Sequence, residues 1–189
     1  MKVSAPFLLL NLLFLLLLAG VSAAGEKGAV RLDQHLRDLA SDLRAVSLAV
    51  RPGDEDLELL AFLRRHYGIS TTVILATAGE GVGAVPIWGR AAADRRIRIR
   101  EARKAADAVG ARFTWLGLSD HGVTRAGEEA LSQWDHEDAV RRLVLAIRTI
   151  RPHLVFTDYR DVARRGAAEA VETIVAERSE EHTSELQSR

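Results

Sequence analysis

The strongest constraint on this chain is a repeated exchange between two hydrophobic periods: short apolar or β-branched runs, each followed by a segment whose apolar residues recur every three or four positions. Ala45 to Val50 is an apolar run stopped by Arg51-Pro52-Gly53, which suits a buried strand ending in a loop. Leu60, Leu63 and Tyr67 then mark one helical face, entered through Asp54-Glu55-Asp56. Acidic residues belong at such a start, where free backbone N–H groups and the helix dipole favour negative charge. Thr71 to Ala76 is rich in β-branched residues and reads as a second strand, emptying into Gly79-Glu80-Gly81-Val82-Gly83. A long helix over Ala91 to Val109 carries Ile99, Ala102, Ala106 and Val109 on its buried stripe, and Arg112 to Leu116 reads as a third strand. Another helix, Glu137 to Arg151, aligns Val140, Leu143, Val144 and Ile147 and stops before Pro152; Leu154 to Thr157 begins a fourth strand.

Strands separated by helices of this length predict an α/β fold, a mainly parallel sheet with helices on both faces and right-handed crossovers. Ligands of such sheets bind beyond the carboxyl ends of the strands. The loops after Val50, Ala76, Leu116 and Thr157 are therefore the expected lining of any site.

The two ends of the 189-residue chain fall outside this pattern. Lys2 precedes an apolar run from Phe7 to Ala19, and the small residues Val21-Ser22-Ala23-Ala24 follow. That is the layout of a secretory signal peptide over residues 1–23, cleaved after Ala23 or Ala24, with export to the periplasm or outside the cell as the expectation. The competing reading is an uncleaved anchor, although the run is shorter than the roughly 20 residues of a comfortable span. Residues 24–44 form a lead-in in which Leu32, Leu36, Leu39 and Leu43 recur at helical spacing, as expected of an amphipathic helix packing on the domain. At the other end, Arg178 to Ser188 looks like the one-frame translation of a common sequencing adapter, so residues 178–189 and His182 are given no functional weight. The expected domain is 45–177, incomplete at its carboxyl side.

Composition excludes several function classes. The chain contains no cysteine, which removes thiol chemistry and disulfides even for an exported protein. Lys plus Arg equals Asp plus Glu at 26 each, so no global field draws it to nucleic acid or to an anionic membrane. The basic run Asp94 to Lys104 lacks interleaved aromatic residues and reads as a solvated helix face. Gly79-x-Gly81-x-x-Ala84 loosely matches a dinucleotide loop, but Pro86 and Gly89 interrupt the helix that should follow. His35, His66, His136 and His153 lack the paired spacing of a metal site, while Trp88, Trp115 and Trp134 read as packing residues before sugar-stacking ones.

Arg51-Pro52-Gly53-Asp54-Glu55, at the end of an apolar strand and the start of a helix, resembles the His-Pro-Asp-Asp-Glu signature of the PIG-L/LmbE zinc-dependent N-deacetylases. The resemblance runs from about Ala45 to Ala170. It covers the segment Leu57 to Gly68, the strand at Thr72 to Thr77 and the Gly79-Glu80-Gly81 loop. It continues through Arg98-Ile99-Arg100-Glu101, Leu116 to Asp120, and Arg148 to Pro152. It implies a Rossmann-like domain that removes an acetyl group from an N-acetylglucosamine-type amide or glycoconjugate with one zinc ion. In the family the signature's His and second Asp bind the metal, the first Asp is the general base, and a downstream Gly-His-x-His-His motif completes the site. Such zinc leaves a position open for water, which it activates as the nucleophile.

Here Arg51 stands at the metal-binding His, and a guanidinium has no lone pair to give. Gly53 stands at the base, so the resemblance assigns no catalytic residue. Asp54 is the single retained metal-ligand position, with a first-turn helix carboxylate as its competing reading. Arg164-Arg165-Gly166-Ala167-Ala168 replaces the downstream motif. Arg98, with Glu101, and Asp120 are the candidate substrate-binding residues. The expectation is a fold kept without bound zinc or hydrolysis, with Arg51 pairing with Asp54. The alternative class is a non-catalytic carbohydrate-binding or scaffold module.

Overall fold

The structure is a computed structural model and describes residues 28–81, 91–122, 124, 126–157, 166 and 168–176. Its elements run α1 (Ala29–Ala40), β1 (Arg44–Ala49), α2 (Leu57–Tyr67), β2 (Ser70–Thr77), α3 (Ala91–Ala108), β3 (Arg112–Leu118), α4 (Gly127–Gln133), α5 (His136–Ile150) and β4 (Leu154–Thr157), with residues 168–176 also helical. The four strands form one parallel sheet in the order β3-β2-β1-β4. Ser47 of β1 pairs with Val73 of β2 on one side and with Phe156 of β4 on the other.

Strand side chains alternate between two helical layers, which is what near-continuous apolar strands require. On one face Val46, Leu48, Ile74, Leu116 and Leu118 join Trp134 of the α4–α5 connection, Val140 and Leu143 of α5, and Val171 and Ile174. On the other, Val73 packs with Leu60 of α2 and Ala106 of α3, and Leu75 with Ala49 and Ala102. The expected α/β architecture with helices on both faces is therefore present. β1 and β2 each feed a helix on the second face, whereas β3 feeds α4 and α5 on the first. The chain thus changes face between β1 and β4, creating a topological switch point at their carboxyl ends.

Local chemistry sets the helix limits. Asp56 caps α2, its carboxylate accepting from the Leu59 N–H at 2.9 Å, so the first-turn capping role considered for Asp54 belongs to Asp56. Asp135 caps α5 by accepting from Asp138 N–H at 3.1 Å. At the other end of α5, Arg151 turns left-handed at φ 51° before Pro152, which disfavours a helical predecessor.

Several expectations are corrected. β3 continues to Leu118; the short α4, which has little apolar period, and a helix over 168–176, where Val171, Ile174 and Val175 recur at helical spacing, add to the expected elements. Tyr67 is exposed at 54%, because only Leu60 of the α2 stripe is fully covered by the sheet. α1 forms but buries no residue, and Leu39 is 84% exposed. The chain divides into compact units at Leu36 and Arg37; within the second, the end of α1 is attached by polar contacts, Arg37 Nη1 to the His66 carbonyl at 3.0 Å and Asp38 to Arg64 at 3.0 Å. The leader, the tail, Trp88 and residues 82–90 lie outside the described residues.

Candidate functional site

Three loops meet at the carboxyl ends of β1, β2 and β3. Val50 anchors the first, its carbonyl accepting both the N–H and the hydroxyl of Thr77 at 2.8 Å. Arg51 follows and turns inward, 4% exposed. Its Nε donates to Asp120 Oδ2 at 2.9 Å, its Nη2 to Asp120 Oδ1 at 3.2 Å, and Nη2 also to the Gly122 carbonyl at 2.6 Å. This is a fork-on-fork pair, the geometry that planar guanidinium and carboxylate groups share. The two side chains are 5% and 2% exposed, so neither charge is solvated by water.

The partner expected for Arg51 is corrected by this geometry. Asp54 does not take the guanidinium; its Oδ2 accepts from the Arg51 backbone N–H at 3.1 Å, while Asp54 N–H returns a bond to the Arg51 carbonyl at 3.1 Å. That tight turn directs the Arg51 side chain away from Asp54 and over the end of β2. Neighbouring strands lie about 4.8 Å apart, so β1 and β3 are roughly 10 Å apart. A long arginine meeting an aspartate spans that gap. No local signal marks the partnership, since the residues are 69 positions apart and only the strand order brings them together.

Glycine permits the loops to close. A Cβ on Gly81 would sit 2.3 Å from Gly122 N and 2.6 Å from the Asp120 carbonyl, so the second loop lies backbone against backbone on the third. At Gly53 the surrounding space is open, but φ is +96°, where an L side chain is strained. A carboxylate at this position would require the turn to refold as well as a change of residue.

The remaining candidates divide between loop support and solvent. Arg98 Nη1 donates to the Gly79 carbonyl at 2.8 Å, and Arg95 Nη2 pairs with Glu80 Oε1 at 2.6 Å. Two of the five arginines of α3 thus hold the second loop. Glu101 and His121 are exposed and join no cluster. Glu55 Oε2 accepts from the Gly53 N–H at 2.7 Å. Burial pushes its carboxyl above the ordinary 4.5, the Gly53 bond opposes the rise and the Asp54 charge adds to it. Trp134 is packing material, its Nε1 donating to the Ser119 carbonyl at 2.8 Å. His153 Nδ1 accepts from Arg44 N–H at 3.1 Å. Of the downstream motif, Arg164, Arg165 and Ala167 lie outside the described residues. Ala168 packs against the larger core cluster, and a Cβ on Gly166 would meet the Ala126 carbonyl at 2.6 Å.

The fold and the loop constellation define an open parallel α/β domain whose candidate site lies beyond the carboxyl ends of its strands. The chain belongs to the PIG-L family: residues 52–175 match it under the description GlcNAc-PI de-N-acetylase. Among solved structures it is similar to N,N'-diacetylchitobiose deacetylase from Pyrococcus horikoshii, at 18% identity and a TM-score of 0.48 over 82% of this chain and 60% of that one. It is also similar to GalB, the 4-carboxy-2-hydroxymuconate hydratase of Pseudomonas putida, at 19% identity and a TM-score of 0.47 over 69% of this chain and 55% of that one. The chain thus spans little more than half the length of either.

The described residues at the signature do not fit the zinc ion that the family resemblance implies. Among the described residues no group of three or more His, Asp or Glu side chains converges to hold a metal. The Arg51 guanidinium also lies at the place in the signature where an imidazole would coordinate.

Proposed function

We propose that this chain is a PIG-L-family domain that keeps the deacetylase fold and a crevice for an N-acetylated amino sugar but does not carry out zinc-dependent amide hydrolysis. One observation carries the reading: the first residue of the metal signature is a buried arginine whose charge is already satisfied by Asp120. Water activation at neutral pH needs a Lewis acid or a base, and Gly53 supplies neither. Around Arg51 the loops after β1 and β2 still present Asp54, Glu55 and the Gly79–Gly81 backbone, polar groups that support holding a polar ligand rather than cleaving one. The apolar leader with its small-residue site supports export as the setting.

The test is direct. Purified full-length chain, incubated with N-acetylglucosamine-type amides and added zinc, is expected to release no acetate above a heat-inactivated control and to retain no zinc in elemental analysis. Turnover that a chelator abolishes would overturn the proposal.

A further inference from the structure

We propose that the Arg51 guanidinium serves as a tethered cation, cross-linking the loops after β1 and β3 so that the crevice end of the sheet is assembled without a metal ion. The proposal rests on the reading that the metal is lost, and it adds a positive role for the residue that replaced the ligand.

Three features carry it. First, the pair is bidentate and buried, with a third bond to the Gly122 carbonyl. The guanidinium therefore contacts both the side chain and the backbone of the third loop, much as a coordinated cation draws oxygen ligands together. Second, Asp120 is committed to this contact: besides Arg51 it accepts the Gly122 N–H at 2.9 Å through Oδ1. A carboxylate with these three donors positions a loop. Third, Gly81 and Gly122 allow the second loop to lie directly on the cross-linked pair of loops, so the closure extends across three strands. An imidazole at position 51 has neither the length nor the forked donors to reach Asp120 and Gly122 together. Arg51→His would then leave the buried Asp120 carboxylate without its cation, which is why restoring the signature's histidine alone should not restore a metal site.

Thermal unfolding of the full chain tests the pair through a double-mutant cycle. Arg51→Gln and Asp120→Asn are each expected to lower Tm by roughly 6–20 °C, because each leaves a buried charge unpaired in a domain of this size. The double variant, with two neutral amides facing one another, is expected to lose no more than the worse single variant. If a single variant yields no folded protein, the double variant must recover it. Additive losses, a double variant that also fails to fold, or single variants within about 2 °C of wild type would overturn the cross-link. Zinc and chelator are expected to leave the wild-type Tm unchanged. A chelator-sensitive Tm would instead contradict the loss of metal, so failure of the underlying reading can be told from failure of this inference.

Discussion

Arg51–Asp120 and Arg95–Glu80 use the same two chemical groups at one end of the sheet, yet they occupy different electrostatic environments. The first pair is shielded on both sides, at 5% and 2% exposure; in the second, the Arg95 side chain is 37% exposed and Glu80 10%. Water reaches the second guanidinium, screens it and competes for it, so this pair is worth less than the fully buried one. In the first, the cost of taking both charges out of water has been met, and removing either partner costs about 3–5 kcal/mol. The separation along the sheet matters too. Arg95 reaches back from α3 to brace the loop that precedes it, whereas Arg51 joins two loops that only the folded topology brings close.

Gly81 is where the two environments touch, and changing it should have the largest effect outside the Arg51 pair. Gly81→Ala places a methyl group against the Gly122 amide and the Asp120 carbonyl, backbone atoms that cannot rotate away. The expected loss is about 1–3 kcal/mol of stability by overpacking, measured by urea unfolding. The third loop should also show faster amide exchange at Gly122. A neutral result would mean that the second loop swings aside freely and that the three-loop closure is not a unit.

Glu80→Gln probes the part-exposed pair of the comparison, whose Arg95 end reaches water, and should cost less than either Arg51→Gln or Asp120→Asn, about 1–2 kcal/mol. Its carboxamide oxygen can still accept from Ala78 N–H, which Glu80 Oε2 engages at 3.2 Å. Raising salt should shrink the difference between Glu80→Gln and wild type, because exposed charges are screened over about 8–10 Å at ordinary ionic strength. The same salt should leave the Arg51→Gln loss nearly intact. If both respond equally, burial does not distinguish the two pairs.

Much of the fold was legible because parallel strands are buried on both sides and write themselves as continuous apolar runs. The runs at Ala45–Val50 and Thr71–Ala76 mark β1 and β2, the start of β4 falls at Leu154 as expected, and the α5 stop follows from Pro152. The elements that escaped are those whose burial depends on distant partners. Gly127–Gln133 is short and buries Gly127 and Ala130, residues that carry little periodic signal. At the site, the sequence displays the departures of Arg51 and Gly53 from the family signature, but not the contacts that these residues make. That Asp120 receives the guanidinium, while Asp54 turns back on the Arg51 backbone, depends on a backbone turn and on strand order. Arg98, a candidate substrate-binding residue, donates from Nη1 to the Gly79 carbonyl, a contact that an arginine-rich helix does not reveal in advance.

The smallest expected effect concerns Glu55, which sits beside both environments without joining either pair. Burial raises its carboxyl above 4.5 in the folded chain, so the folded state binds this proton more readily than the unfolded state does. The stabilising contribution is then fully present below the unfolded value and is lost as pH rises through the higher folded value. Glu55→Gln, which cannot ionise, should therefore gain stability relative to wild type as pH climbs through that window and run parallel to it on either side. The Gly53 N–H opposes the rise by favouring the ionised carboxylate, which keeps the slope shallow. A Tm difference between the two proteins that stays constant across the window would mean that Glu55 is hydrated in solution. The turn at Gly53 would then be more open than its buried neighbour Arg51, confining the dry environment to the Arg51–Asp120 pair itself.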